Sequence, residues 1–282
     1  MSVDPVAFKE AQRTDWQTAA PGWRKWYDML EAGGEIVSRT LVDRAAIGPG
    51  DTVLDVATGY GEPALTAARI VGPAGRVVAV DIAADMLAFG RERALHAGLA
   101  NVEFVEADVE ALSFEPGSFD VVLCRQGLQF LPGVAGALER WHALLREGGR
   151  LAAAVWGRPD RVEFARPVAV IAAELDLPAP PPGRPGIFAL ADPDALRGLV
   201  VGAGFRDVTT GSVTAVYETP SADDFTRWAR DVAPPIANLV AGQPAEVQER
   251  VWQQVTDAWA PLTMDDGRVR TRNEAIWVAA TR

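Results

Sequence analysis

The segment from Thr52 to Asp81 constrains the fold of this chain more than any other. It begins with the apolar stretch Thr52–Ala57, which lacks the alternation of polar and apolar residues typical of half-exposed strands. Such a stretch predicts a parallel strand buried on both faces. A turn with Gly59 and Gly61 follows, then a helix and a second strand ending in Asp81. This order predicts one unit of a doubly wound α/β sheet.

The two glycines and the acid together predict a nucleotide site at the carboxyl ends of the two strands. Gly59 and Gly61 allow the backbone to turn tightly and to approach a ligand that a Cβ atom would keep away. Asp81, at the end of the second strand, is placed to accept hydrogen bonds from ribose hydroxyls. We therefore expect an adenosine moiety at this edge.

Two classes of nucleotide share this layout. A dinucleotide site favours a third glycine three residues after Gly61, where this chain has Ala64, a residue that such sites sometimes accept. Asp55 on the first strand and Glu62 beside the turn would repel a diphosphate but attract an ammonium or a sulfonium group. The acids favour the cationic ligand and leave a nicotinamide-dependent oxidoreductase as the weaker alternative.

Several stretches in fixed order resemble the motifs of the class I S-adenosylmethionine-dependent methyltransferases. They are Val53–Gly61, Asp81–Leu87, Val105–Leu112 and Ser118–Cys124, followed by Leu144–Leu151. The resemblance covers residues 50–156. Within the family, these motifs most resemble those of the ubiquinone- and menaquinone-biosynthesis branch, which acts on small molecules. The chain departs from the family at Glu62–Pro63 and at Glu147, where the family usually has proline.

The resemblance implies an α/β fold with a doubly wound, Rossmann-like sheet of seven strands in the order 3-2-1-4-5-7-6. It also implies S-adenosylmethionine as cofactor. We divide the chain into an N-terminal helical lid segment (1–49) and a core (50–218) that includes a proline-rich loop (178–186). A helical cap (219–270) and the last strand of the sheet (271–282) follow. In the first segment we expect three helices, at 4–16, 23–30 and 35–46.

The family motifs assign roles to cofactor-binding residues. Asp55 with the backbone at Gly59 would hold the methionine ammonium, Asp81 the ribose, and Asp108 with Val109 the adenine edge, while Met86 would stack near adenine. The full expected set is Asp55, Ala57, Thr58, Gly59, Gly61, Asp81, Ile82, Met86, Asp108, Val109 and Arg125. The alternatives are structural: Asp81 and Asp85 as strand-end or helix-capping acids, and Met86 as a core residue.

The residues that act on the methyl acceptor are less defined. A methyl group on a sulfonium is already activated, so the protein contributes mainly alignment and exclusion of water. The sequence names no general base, which fits methylation of an already acidic phenol or enol, or catalysis by proximity alone. Arg125, Gln126 and Gln129 after the fourth strand are candidates either for orienting a carbonyl or enolate of the acceptor or for bonding adjacent backbone. The other catalytic candidates are His142 and, more weakly, Tyr27, Tyr60 and Asp231. We expect a structural role for His142 and a solvated His96.

Composition limits the partners. The chain of 282 residues has 27 basic and 38 acidic side chains, a formal charge of −11, so we expect no nucleic-acid partner. It has no apolar run of membrane-spanning length and no signal-peptide pattern, and its single cysteine, Cys124, forms no internal disulfide. We therefore expect a cytoplasmic protein with no membrane partner and no metal site; a homodimer is left open.

We expect the acceptor to be a small, fairly apolar metabolite. Three of the nine tryptophans lie in the N-terminal segment and three in the cap, where they either line a pocket for a flat ligand or pack the helices together. O-methylation is favoured over C- or N-methylation. The alternative function is a protein that binds S-adenosylmethionine but uses the pocket for a non-methylating reaction such as a cyclisation.

Overall fold

The computed structural model describes residues 4–178, 181 and 183–282, and within them the centre of the protein is a seven-stranded sheet. The strands are β1 (Thr52–Val56), β2 (Arg76–Asp81), β3 (Val102–Glu106), β4 (Phe119–Arg125), β5 (Leu145–Trp156), β6 (Arg206–Thr219) and β7 (Val269–Thr281). Their order is β3-β2-β1-β4-β5-β7-β6, which confirms the predicted topology. The strands are parallel except β7, which runs antiparallel to both β5 and β6.

The central strands are buried because helices cover both faces of the sheet. Successive residues of β1 point to opposite faces: Val53 belongs to one apolar cluster and Leu54 to the other. The first cluster includes Leu41 of the N-terminal helices, and the second includes Trp141. The absence of polar alternation in β1 therefore follows from two-sided burial.

The described residues contain ten α-helices. They are α1 (Pro5–Lys25), α2 (Tyr27–Arg44), α3 (Ala64–Val71), α4 (Ala84–His96), α5 (Val134–Leu144), α6 (Arg166–Glu174), α7 (Pro193–Gly202), α8 (Ala222–Val232), α9 (Pro234–Ala241) and α10 (Ala245–Asp257). Asp192 caps α7, its carboxylate accepting from the amides of Asp194 and Ala195. None of these helices is both long and apolar enough to cross a bilayer.

The N-terminal segment differs from the prediction of three helices. It forms two long ones, and Pro21, Gly22 and Gly33 lie inside them rather than between them. The glycines are required by close packing: a Cβ at Gly33 would lie 2.2 Å from a ring carbon of Tyr217, and one at Gly22 would lie 2.2 Å from the carbonyl oxygen of Asp231. The contact partners are distant in sequence, so no local pattern distinguishes these glycines from helix breakers.

The last strand is longer than expected. β7 begins at Val269 instead of residue 271, because its pairing with β6 continues without a shift as far as Thr219, opposite Val269. Helices α8, α9 and α10 occupy the connection between these two strands. In the proline-rich loop 178–186, residues 179, 180 and 182 lie outside the described residues, and the others are neither helix nor strand.

Helix α1 is fastened to α8 by polar contacts. The Trp23 indole donates to the carbonyl of Val232 over 3.3 Å. Lys25 and the Trp26 indole both donate to the Asp231 carboxylate, over 2.7 and 2.8 Å. The Asp231 carboxylate, a weak catalytic candidate in the sequence, is therefore engaged in joining two helices.

Candidate functional site

The glycine turn after β1 is held by backbone hydrogen bonds and by left-handed residues. The Thr58 amide donates to the carbonyl of Val80 over 2.9 Å, and the Gly61 amide donates to the carbonyl of Thr58 over 3.0 Å. Ala57, Gly59 and Gly61 have φ angles of 56°, 55° and 99°. Glycine is favoured at positions in this region, so the sequence pattern and the backbone agree. The turn places its amides at the carboxyl edge of the sheet.

Asp81 joins this turn to the end of β2. Its Oδ2 accepts from the Gly59 amide over 2.8 Å, and its Oδ1 accepts from the Ala83 amide over 2.9 Å. Burial raises the pKa of Asp81, and these backbone donors oppose the shift. Each carboxylate oxygen keeps a second lone pair. The predicted ribose contact and the structural capping role are thus compatible in one side chain.

Asp55 is fully buried and only half satisfied. Its Oδ2 accepts from the Ala64 amide over 3.0 Å, whereas Oδ1 has no hydrogen-bond partner among the described residues, nor has the neighbouring Oγ1 of Thr58. Burial raises the pKa of Asp55 to about 7, and the nearby Thr58 hydroxyl and Arg125 guanidinium oppose the shift. A buried carboxylate oxygen without a partner costs free energy, which a cationic ligand would recover. The arrangement fits the methionine ammonium of S-adenosylmethionine.

Helix α1 covers the expected adenine end of the site. Met86 and Ala83, at the start of α4, form a buried cluster with Ala19 and Ala20 of α1. Ile82, also in the expected set, is half-buried beside Asp81. Met86 therefore packs against the N-terminal helix. This packing is the core role that the sequence left open as the alternative to stacking near adenine.

The acid expected to meet adenine is held by a lysine from α1. Asp108 accepts from the Glu110 amide over 2.9 Å with Oδ1 and from Lys9 over 2.7 Å with Oδ2. Lys9 also forms an ion pair of 2.8 Å with the Glu110 carboxylate, and the carbonyl of Val109 accepts from the Trp141 indole over 3.0 Å. Sequence reasoning missed Lys9, because its partner is 99 residues away and leaves no local signal.

The Arg125 side chain points towards α2 and the glycine turn. Its guanidinium donates to the Gly34 carbonyl over 3.3 Å, to the Ser38 hydroxyl over 2.9 Å and to the Tyr60 hydroxyl over 2.7 Å. The Tyr60 hydroxyl is thus held as an acceptor, and burial raises its pKa. Arg125 therefore connects β4 with α2 and with the glycine turn through three hydrogen bonds.

Arg93 is the second buried arginine of the site and was not foreseen. It donates to the Tyr60 carbonyl over 2.9 Å, the Tyr27 hydroxyl over 2.7 Å and the Glu62 carboxylate over 3.1 Å. Glu62 is almost fully buried. The expectation that Glu62 attracts a cationic ligand was wrong, because Arg93 already neutralises it. The Tyr27 hydroxyl is also an acceptor, and burial raises its pKa.

The loop after β4 presents two glutamines that bond each other. The backbone N–H of Gln126 donates to the Ala154 carbonyl over 2.8 Å. The side chain of Gln129 donates through Nε2 to the side-chain Oε1 of Gln126 over 3.1 Å. The next residue, Phe130, packs edge-on against Trp16 of α1, with ring centroids 5.5 Å apart. The side chains do not bond adjacent backbone, which was one of the two alternatives.

Neither histidine lies at this edge of the sheet. His142 is near the carboxyl end of α5, where the chain enters β5, and its ring packs edge-on against Phe205 at 4.9 Å. Burial and the nearby Arg282 lower its pKa. His96 is exposed, with Nδ1 2.8 Å from the Glu92 carbonyl oxygen. Of the catalytic candidates, the structure separates His142 from the others.

Comparison with known proteins identifies the family. The methyltransferase domain family matches residues 53–149. The ubiquinone/menaquinone biosynthesis C-methyltransferase UbiE of Ectopseudomonas mendocina is 33% identical over 211 residues, which are 68% of this chain and 82% of that protein. The chain belongs to the class I S-adenosylmethionine-dependent methyltransferases of the ubiquinone-biosynthesis type. This methyltransferase therefore uses S-adenosylmethionine, as the motifs predicted.

Solved structures agree on the fold of the methyltransferase. Phosphoethanolamine N-methyltransferase 2 of Haemonchus contortus, in complex with S-adenosyl-L-methionine, is 18% identical with a TM-score of 0.53. The superposition covers 88% of this chain and 52% of that chain. The [4+2]-cyclase SpnF is 19% identical with a TM-score of 0.53 and covers 87% of this chain and 80% of its own. At these identities the likeness shows the fold alone.

The geometry defines what the side chains of this methyltransferase do. S-adenosylmethionine supplies a methyl group that is already activated on a sulfonium. Asp55 offers an unpaired carboxylate oxygen at one end of the site, and Asp81 offers two oxygens fixed by backbone donors. Helix α1 packs over the expected adenine end, where Met86 and Ala83 are buried against it. We assign no proton acceptor among these side chains.

Proposed function

We propose that this methyltransferase methylates a small, fairly apolar acceptor that carries a phenol or enol hydroxyl. The observation that carries the proposal is the packing of α1 against the loop after β4, which forms a roof at the edge of the sheet. Trp16 of α1 contacts Phe130 of the loop after β4, and Trp16 also packs edge-on against Trp23 at 6.0 Å. Such a roof accommodates a small molecule but obstructs a protein or an RNA. The formal charge of −11 opposes a nucleic-acid acceptor as well.

The side chains beyond β5 support an apolar acceptor. Trp156, at the carboxyl end of β5, packs edge-on against Phe164 at 4.9 Å, and Phe164 contacts Tyr217 at 5.8 Å and Trp228 at 5.7 Å. These rings come from the core, from β6 and from α8. We propose that residues 1–49 act as a lid and 219–270 as a cap, which together enclose the acceptor beside this buried aromatic cluster.

Two atoms of such an acceptor are candidates for the methyl group. The hydroxyl oxygen is the atom that sequence reasoning favours. The ring carbon beside it is the second candidate, because the relative that is 33% identical is named a C-methyltransferase. The hydroxyl oxygen of a phenol or enol donates electron density to the carbon one position further along, ortho in a phenol. Both atoms are therefore nucleophilic, and the same acceptor serves either outcome. In either case the sulfonium becomes the neutral thioether of adenosylhomocysteine and the acceptor releases one proton to solvent. An acidic hydroxyl releases this proton without a strong base.

The test is a product assay with 1-naphthol as the probe. Purified protein is incubated with S-adenosylmethionine and 1-naphthol, adenosylhomocysteine is quantified, and the naphthalene product is identified by nuclear magnetic resonance. We expect 1-methoxynaphthalene, or 2-methyl-1-naphthol if carbon is the methylated atom. If adenosylhomocysteine binds in calorimetry but none forms with 1-naphthol or a series of substituted phenols, the proposed acceptor class is wrong. That outcome favours a non-methylating use of the cofactor.

A further inference from the structure

The two glutamines after β4 leave a complementary pair of polar atoms without partners. Gln129 is 1% exposed, and its Nε2 donates to Gln126 Oε1 over 3.1 Å. Within the described residues, the buried Nε2 of Gln126 and the buried Oε1 of Gln129 have no hydrogen-bond partner. Each such atom costs free energy unless something satisfies it. The two contacting side chains therefore present one unsatisfied donor and one unsatisfied acceptor.

The glutamine pair keeps one free donor and one free acceptor in either orientation of its amides. The nitrogen and oxygen of a glutamine side chain can be exchanged by a rotation of the amide. If both amides of the Gln126–Gln129 pair rotate, the bond between them runs in the other direction and again leaves one donor and one acceptor. A neutral hydroxyl is the smallest group that matches, because it accepts one hydrogen bond and donates another.

The pair lies on the acceptor side of the edge. Asp81 and Asp108 follow β2 and β3, on one side of β1, whereas both glutamines follow β4, on the other side. The loop is close to the glycine turn, since a Cβ at Gly127 would lie 2.4 Å from the Cβ of Ala57. A ligand that extends from the β2 and β3 side of β1 to the β4 side therefore has its reacting end near the glutamine pair.

The surroundings of the pair also indicate a ligand site. Gln126 has a φ of 60°, which is uncommon for a residue with a Cβ and is often found at functional sites. The Gln129 carbonyl accepts from the Gly186 amide over 3.0 Å, and Phe130 contacts Trp16 of the roof. The amides are thus held between the sheet edge and its cover.

We propose that Gln126 and Gln129 together bind the hydroxyl of the methyl acceptor. This inference rests on the proposed function and specifies it: the acceptor enters as a neutral phenol or enol, with one glutamine donating to its oxygen and the other accepting from its proton. Amides do not remove a proton at neutral pH, so the pair orients the hydroxyl. It discriminates against an alkyl group or an ether at the same position, because these leave a buried amide group unpaired.

The test measures binding, not turnover. Calorimetry with the adenosylhomocysteine-loaded protein compares 1-naphthol with 1-methylnaphthalene, which has nearly the same shape but no hydroxyl. The variants are Gln129→Leu and the double variant Gln126→Leu/Gln129→Leu, since removing both partners leaves no unpaired amide. The control is Gln254→Leu, at an exposed position of α10. Adenosylhomocysteine affinity of each protein reports on folding.

We expect the wild type and the Gln254 control to bind 1-naphthol at least about tenfold more tightly than 1-methylnaphthalene. In both glutamine variants the ratio should fall to about one, with adenosylhomocysteine affinity unchanged. An undiminished ratio in the double variant overturns the proposal. A selective loss of adenosylhomocysteine affinity also overturns it, because the pair would then serve the cofactor. Failure of the product assay with this binding pattern intact would reject methylation and keep the hydroxyl site.

Discussion

Asp55 makes cofactor affinity depend on pH, and the substitution Asp55→Asn removes that dependence. The carboxyl group is fully buried, one of its oxygens has no partner in the described part of the chain, and its pKa is raised to about 7. If the methionine ammonium binds the ionised form, affinity follows the ionised fraction. That fraction is about 3% at about pH 5.5 and about half at about pH 7. The expected change in affinity is about sixteenfold, or about 1.6 kcal/mol.

The assay is calorimetric titration with adenosylhomocysteine across this pH range, with NADH as a ligand that should not bind. The pKa values of Asp81 and Glu31 are also raised by burial, so the slope of the wild type alone does not identify Asp55. In Asp55→Asn the steep part of the slope should disappear. Affinity at about pH 7 should fall by about 1.5–3 kcal/mol, the value of a charged hydrogen bond.

Stability provides an independent measure of the same group. Because the folded-state pKa is raised above the usual value of 3.8, the folded protein binds more protons than the unfolded chain between about pH 4 and about pH 7. The contribution of Asp55 to the free energy of unfolding therefore falls as pH rises through this window. Asp55→Asn should gain stability relative to the wild type from about pH 5 to about pH 7 in urea unfolding. Equal pH slopes for both proteins, in binding and unfolding, would refute the reasoning.

Substitutions at four further positions test other parts of the structure. Asp81→Ala should weaken adenosylhomocysteine binding by about 1–3 kcal/mol in calorimetry, and unchanged affinity would exclude the ribose contact. Gly33→Ala should lower the free energy of unfolding by at least about 1–3 kcal/mol, because its Cβ would meet the Tyr217 ring. Gly198→Ala, in an open position of α7, should raise it by about 0.5–1 kcal/mol, and urea unfolding that ranks the two alike would contradict the packing argument. Lys9→Ala should lower the free energy of unfolding by about 0.5–1 kcal/mol and speed hydrogen exchange in the first turns of α1. Lys9→Arg, which keeps the charge, should do neither. Unchanged exchange in Lys9→Ala would show that the ion pairs do not hold the helix.

The core of the fold was accessible from sequence because its signals are local. The apolar stretch of β1, the glycines at 59 and 61 and the acid at 81 lie within thirty residues of one another, and the structure gives each the expected conformation. The α7 cap at Asp192 is local in the same way. The order of the sheet came from the family motifs and is confirmed. For the site residues, the structure adds positions and partners, while their roles stay predictions.

The errors concern contacts between distant parts of the chain. Glycines in α2 looked like a break between helices, but they accommodate a ring from β6. Glu62 looked free to attract a cation, but Arg93 of α4 neutralises it. In each case the deciding partner is more than thirty residues away.

The sequence by itself therefore determined the α/β class, the nucleotide-binding turn and the acids at the ends of β1 and β2, because backbone conformation and strand burial leave a short-range pattern. Only the tertiary structure decided that Lys9 holds Asp108 and that Arg125 faces α2. It also brought Gln126 and Gln129 into a bonded pair with unpaired atoms. A charge or an amide can be satisfied by many partners, and which one it meets depends on how the helices pack onto the sheet.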